Sequence, residues 1–334
     1  MTPKELTDLW SEMARAQGAP SGMDRRLLDI DAAVSIYACV FWPSGRYGLL
    51  IEGDTADRPA DGRIPKCRGV RVIHQVISVT PPRTALQVAL EDARLAEIFA
   101  VLSADLVHVA RSEATATAAL RRWIDRVAMW QGLFERIPRQ GLSEEEQRGL
   151  FGELVTLEKT ILAALDALAA VSSWTGPEPK NQDFVHGGIG VEVKTSLSKR
   201  HSRLVIANEK QLDEKPHHKL LLAHVRLDES AAQGSTLSEQ VKRCRGLVQA
   251  DPVAAGMFED RLMSAGYLDI HAPLYDQKWL PSAIRYFDVR DAFPRLTEAN
   301  LPPGVGDIRY TIIADDLAAY EMAHEDIAAL LKGQ

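Results

Sequence analysis

Hydrophobic positions along the N-terminal third of the chain change period twice. MTPKELTDLWSEMARAQ alternates charged and apolar residues at helical spacing, predicting a first helix. AAVSIYACVFW and RYGLLIEG then form two runs rich in β-branched and aromatic residues around Pro43-Ser44-Gly45, the pattern of two strands joined by a turn. A further strand is predicted over GVRVIHQVISV, closed by Pro81-Pro82, and from about Asp92 the helical period returns through LAEIFAVLSADLVHVA and ALRRWIDRVAMWQGLFERI. Residues 1–138 are therefore expected to form a smaller α+β domain, with GDTADRPADGR as an exposed loop.

A break at Pro138-Arg139-Gln140-Gly141 opens the second region, 141–334. Ser143 stands three residues before Glu146, the spacing of a capping box, and Leu150, Leu154, Leu157, Ile161 and Leu165 make an apolar stripe that predicts one helix to about Val171. The loop WTGPEPKNQ leads to a strand at Asp183 to Val185, the turn HGGIG and a strand at VEVKTSL. SRLVIAN and KLLLAHVRL read as strands, Ser238 to Val248 as a helix, and short mixed elements lead to a last strand at IRYTIIA and a terminal helix. This order predicts an α/β architecture: one mixed sheet flanked by helices, preceded by the smaller α+β domain.

Composition narrows the class. With 334 residues, 46% hydrophobic and 25% charged, the chain can bury a substantial core. No stretch approaches the ~20 apolar residues of a membrane helix, and the N-terminus lacks the apolar core of a signal peptide. Cys39, Cys67 and Cys244 form no CxxC pair, so neither a zinc site nor a disulfide framework is indicated, and a cytoplasmic location is expected. A net charge of −7 argues against a protein that coats nucleic acid. Yet between Lys194 and Arg226 eight basic residues stand against three acidic ones. That stretch, with Lys199, Arg200 and Arg203, is either a solvated face or a contact surface for nucleic acid.

One constellation carries chemistry. Period-two geometry puts Glu192 and Lys194 on one face of their strand and Val191, Val193 and Thr195 on the other. The glycine-rich turn at 187–190 folds the preceding strand back and can bring Asp183 beside Glu192. Two carboxylates supply hard oxygen ligands for Mg²⁺, with Mn²⁺ as a substitute, and the lysine can orient water or stabilise developing charge during phosphodiester hydrolysis. Glu153 lies at the border of the apolar stripe, where a carboxylate needs a partner: a metal shared with Asp183 and Glu192, a nearby Lys or Arg, or solvent.

Other residues are open to two readings. Trp174 either stacks on a base or anchors the loop before Asp183. His217-His218 read as surface residues, and Lys242, Arg243 and Arg245 as a basic helix face or a solvated one. There is no GxSxG, P-loop or GxGxxG fingerprint.

Glu153 in GLFGELVTLEK, Asp183 in QDF, and Glu192 with Lys194 in GVEVKTS together resemble the PD-(D/E)XK nuclease superfamily, with Gln182 in place of its proline. More narrowly, GLFGEL, AVSSWTGPEPKNQDF, VEVKTS, NEKQLDE and FPRLTEANLPPGVGDIRYTI are similar to a bacterial family assigned to that superfamily and found in defence islands near methyltransferases, helicases and ATPases. The resemblance implies a restriction-endonuclease-like fold, with DNA cleavage by a nuclease domain at 141–334. It also implies DNA recognition or partner docking by 1–138, helicase/ATPase and methyltransferase partners, and action in a restriction-like anti-phage system. It places Gln211 near the site or DNA. Cutting both strands implies a homodimer or paired recruitment. A DNA-binding or scaffold subunit without catalysis, and an RNA-cutting effector, are the alternatives.

Overall fold

The computed structural model describes residues 1–16, 21–29, 33–54, 69–136, 141–177, 181–197, 202–229 and 233–333. The chain divides into two compact units, Met1–Ile137 and Pro138–Gln334. Lys199, Arg200, Cys67 and most of GDTADRPADGR lie outside the described residues, as do residues 138–140 of the expected break. No described helix is long and apolar enough to cross a membrane.

In the first unit, α1 (Pro3–Arg15) is opened by a reciprocal Thr2–Glu5 capping box and buries Leu6, Trp10 and Met13. Strands β1 (Gly22–Asp29), β2 (Ser35–Trp42), β3 (Arg46–Gly53), β4 (Val70–Val79) and β5 (Pro82–Leu90) form an antiparallel sheet in the order β1-β2-β3-β5-β4. Helices α2 (Ala96–Arg111) and α3 (Ala116–Arg136) follow. Two of these strands differ from expectation. β1 reads GMDRRLLD and sits at an edge, where little apolar surface is needed. Pro81-Pro82 ends β4 as expected, but the chain turns straight into an unexpected strand: Val79 pairs with Pro82, the first residue of β5, where a missing N–H is tolerated.

In the second unit, Ser143 and Glu146 form a reciprocal capping box that opens α4 (Glu144–Thr156). The predicted single helix to Val171 is interrupted. A π turn at Leu157–Ile161 leads into α5 (Leu162–Ala164), the backbone becomes extended at Leu165, and Asp166 caps a new helix, α6 (Ala167–Ser173), by accepting from Ala169 N at 2.8 Å. A short acidic side chain at a helix start outweighs continuation of the stripe there.

The central sheet has the order β12-β10-β9-β7-β6. It contains β6 (Phe184–His186), β7 (Ile189–Leu197), β9 (Lys219–Glu229), β10 (Trp279–Asp288) and β12 (Glu321–Met322). The β7/β9 pair is parallel and the others are antiparallel. β8 (Arg203–Ile206) pairs with β11 (Tyr310–Ile313) in a separate two-stranded sheet. Helices α7 (Leu237–Val248), α8 (Pro252–Ser264) and α9 (His324–Lys332) complete the unit. β10 falls among the elements expected to be short and mixed. Its Pro281 obscures the strand pattern, and the ladder accommodates it with a bulge between Pro281 and Ala283.

One face of the sheet is dry. Val191, Val193, Ala223 and Val225 pack against Phe151, Leu154, Trp174 and Phe258. On the other face Leu222 and Phe287 meet Leu204, Ile206, Ile312 and Leu317 in a second, smaller core. Glu192 and Lys194 lie on this second face, level with Leu222 and His224 in the parallel register.

Candidate active site

The helix carrying Glu153 reaches the sheet because its neighbour has no side chain. A Cβ on Gly152 would stand 2.2 Å from Thr195 Cγ2, so only glycine lets α4 lie this close to β7. Glu153 is thereby held at the end of the sheet. The buried indole of Trp174 donates from Nε1 to Glu153 Oε2 at 2.7 Å, which settles Trp174 as an anchor of the site.

The hairpin that presents Asp183 turns on Gly187 and Gly188, both with positive φ, between the paired residues His186 and Ile189. β6 pairs with β7 only as far as Phe184–Val191. Beyond that point Asp183 continues the ladder with its side chain, Oδ2 accepting from Val193 N at 2.7 Å. Its own carbonyl accepts from Thr175 N and Gly176 N at 2.7 and 2.9 Å. Asp183 is thus fixed at both ends. Gly176 lines a cradle with it: a Cβ there would lie 2.6 Å from Glu153 Oε2 and 2.9 Å from Asp183 Oδ1.

Glu192 is 1% exposed. Its Oε1 accepts from Lys194 Nζ at 2.7 Å, while Oε2 is buried with no hydrogen-bond partner. Lys194 Nζ also donates to Gln211 Oε1 at 3.1 Å, and the same oxygen accepts from Ala207 N at 2.8 Å. Gln211 therefore positions the lysine, and its carbonyl oxygen is committed to protein donors.

Gln182, in the place of the superfamily's proline, is buried and holds this loop. Its Nε2 donates to the carbonyls of Lys210 and Gln211, and its Oε1 lies 2.8 Å from His217 Nε2. His217 is half-buried, and desolvation lowers its pKa, so it belongs to this support and not to the open surface; His218 is exposed.

Among the described residues, three carboxylates thus share one ammonium. Loss of solvent, and then the charge of Asp183, push Glu153 up to about 8. Burial raises Asp183 to about 6 against the pull of Lys194. Glu192 is driven well above the ordinary range by burial, then by Asp183. Burial opposes the charge of Lys194, but Glu192, together with Asp183 and Glu153, outweighs it and raises the lysine's pKa. Such a site has a deficit of positive charge.

The donors suit a hard divalent cation. The chemistry is all carboxylate, two of the oxygens converge on the cradle over Gly176, and the third group keeps an unpartnered buried oxygen. Among the described residues no three His, Cys, Asp or Glu side chains stand at metal-ligand spacing. Glu192 Oε1 is held by Lys194 Nζ and its Oε2 is uncommitted.

The site opens into a cleft of about 1060 Å³, lined by Glu153, Asp183, Glu192 and Lys194 and by Arg148, Arg203, Arg226 and Arg309. Arg203 thus lies at the cleft. The helix cations do not form a free basic face: Arg243 bonds Gln240 and Ser235, and Arg245 pairs with Glu259 and Asp269 at 2.7 and 2.9 Å. Lys242 is exposed. Gly176 and the supporting role of Gln182 carry no spacing signal, since they depend on contacts between segments distant in sequence, whereas anchoring is one of the two readings open for Trp174.

A family model described as "Putative PD-(D/E)XK family member, (DUF4420)" matches residues 6–315. No curated protein and no solved structure matches significantly.

Proposed function

This chain belongs to the PD-(D/E)XK family whose model it matches over most of its length, and from that premise we propose that it is a Mg²⁺-dependent endonuclease that hydrolyses DNA phosphodiester bonds. Membership carries a nuclease-like function, and PD-(D/E)XK proteins generally use divalent metals. The observation that supports the finer reading is the charge deficit: Glu153, Asp183 and Glu192 crowd around a single lysine at the floor of an open cleft.

Asp183, Glu153 and Glu192 would hold the cation, which supplies charge neutralisation at the phosphate and a water of lowered pKa. Val193 N, donating to Oδ2, orients Asp183 toward the cradle. Lys194, steadied by Gln211, presents its ammonium where negative charge builds on a non-bridging phosphate oxygen. Trp174 prevents Glu153 from swinging away from the cradle. Arg148, Arg203 and Arg309 stand along the cleft where flanking phosphates would pass.

The proposed role is the cleavage subunit of a restriction-like anti-phage system. There it would work with helicase/ATPase and methyltransferase partners, and the first unit would recognise DNA or dock a partner. The test is digestion of methylated and unmethylated plasmid with Mg²⁺ or Mn²⁺, with and without the products of neighbouring genes, beside Asp183→Ala and Lys194→Ala. Metal-dependent cutting lost in both variants supports the nuclease. DNA binding with no cutting under any condition would replace it with a scaffold.

A further inference from the structure

We infer that Ser196 is a phosphate-binding residue of the cleft, its hydroxyl proton left free for a phosphate oxygen because His224 donates to it from beneath. This rests on the reading of the cleft as a phosphodiester site.

Ser196 follows Lys194 by two residues on β7, so it shares the face of Glu192 and Lys194 and lines the same cleft. It is 7% exposed and sits level with Arg226 of β9 in the parallel register. Its Oγ lies 2.7 Å from Nε2 of His224, which is 1% exposed. The other ring nitrogen, Nδ1, is buried with no hydrogen-bond partner.

That orphan decides the direction of the bond. A neutral imidazole carries one N–H, and its position follows the partners of the two nitrogens. An N–H stranded without an acceptor is rarer in folded proteins than an under-used lone pair. The arrangement with Nδ1 bare and the proton on Nε2 is therefore favoured, and Nε2 then donates to Ser196 Oγ. With one lone pair so occupied, the serine proton has no need of the histidine and is available toward the cleft.

The surroundings keep the imidazole in that neutral form. Burial, then the guanidiniums of Arg285 and Arg226, lower its pKa to about 4, and Asp315 opposes them only in part. A protonated His224 would still donate to Ser196, so the serine's role does not depend on pH.

The full-length chain is compared as wild type, Ser196→Ala and Ser196→Thr. Three quantities are read: anisotropy of a fluorescein-labelled DNA duplex with Ca²⁺, plasmid cleavage with Mg²⁺, and thermal unfolding. The tautomer of His224 is read from long-range ¹H–¹⁵N correlations, assigned with His224→Gln. Expected are a duplex affinity about tenfold or more weaker for Ser196→Ala, near wild-type affinity for Ser196→Thr, a melting temperature lowered in Ser196→Ala, where the buried His224 N–H loses its acceptor, and kept in Ser196→Thr, and a proton on Nε2. An unchanged affinity in Ser196→Ala, an equal loss in Ser196→Thr, or a proton on Nδ1 overturns the inference. A wild type that binds through Ser196 without cutting removes the nuclease and leaves the phosphate contact. Normal cutting with no effect of Ser196→Ala does the reverse, and a wild type that neither binds nor cuts removes both.

Discussion

Trp174 Nε1 donates a 2.7 Å hydrogen bond to Glu153 Oε2, joining the loop that carries Gly176 to the helix that carries the first carboxylate. Trp174→Phe keeps an aromatic ring against Phe258 but removes this donor and part of the buried ring system. The variant is expected to lose about 2–4 kcal/mol of stability and to need more Mg²⁺ for half-maximal cleavage. Unchanged Mg²⁺ dependence would show that the indole only packs.

Gly152→Ala places a methyl group 2.2 Å from Thr195 Cγ2. A loss of about 1–3 kcal/mol is expected from urea unfolding, with part of it recovered when Thr195→Ser removes the opposing methyl. Failure of the double variant to recover would locate the strain elsewhere.

Gly176→Ala meets only the ends of the Glu153 and Asp183 side chains, at 2.6 and 2.9 Å. Trp174 Nε1 and Val193 N hold those two carboxylates, so the metal-free melting temperature should fall as one of these hydrogen bonds lengthens to admit the methyl. The rise in melting temperature on adding Mg²⁺ or Mn²⁺ should be largely abolished, because the methyl fills the cradle. A full metal-induced rise would place the cation away from Gly176.

The pH dependence of stability has a defined sign. Glu153 is raised from 4.5 to about 8 in the fold, first by burial and then by Asp183, so its contribution is complete below 4.5 and is lost as pH rises through about 8. Without metal, wild type should lose stability relative to Glu153→Gln across that window, and Mg²⁺ should restore the difference at its alkaline end. Parallel profiles for the two proteins would contradict a buried, electrostatically crowded carboxylate.

Gln182→Ala removes two amide donations to the 210–211 backbone and the partner of His217. Through Gln211 it loosens Lys194, so cleavage rate should fall about tenfold while duplex affinity stays near wild type. An effect on affinity alone would assign the loop to DNA contact.

Much of the fold is legible where local period and burial agree. The hairpin at Asp183 is marked by glycines that must take positive φ, and the E-x-K strand by alternation on a half-polar face. β1, β5 and β10 escape for separate physical reasons. The first is a charged edge, the second a strand that begins within the Pro-Pro turn itself, and the third a strand with proline absorbed by a bulge. The structure brings Glu153, Asp183, Glu192 and Lys194 together, and sequence spacing points to each of them. It does not point to Gln182 or His224, whose partners are fixed only by tertiary pairing. Ser196 was within reach, since period two places it beside Lys194.

The two unlike faces of β7 bear on how the protein folds as well as on what it binds. Sliding this strand by one residue against β9 would turn Glu192, Lys194 and Ser196 into the dry layer of Phe151, Leu154 and Phe258, and expose Val191 and Val193 in their stead. Misaligned pairings are therefore heavily penalised before any ligand is met. The polar triplet that prepares the cleft also acts as an alignment mark, so a chain that has closed its sheet correctly has, in the same event, set out its reactive groups.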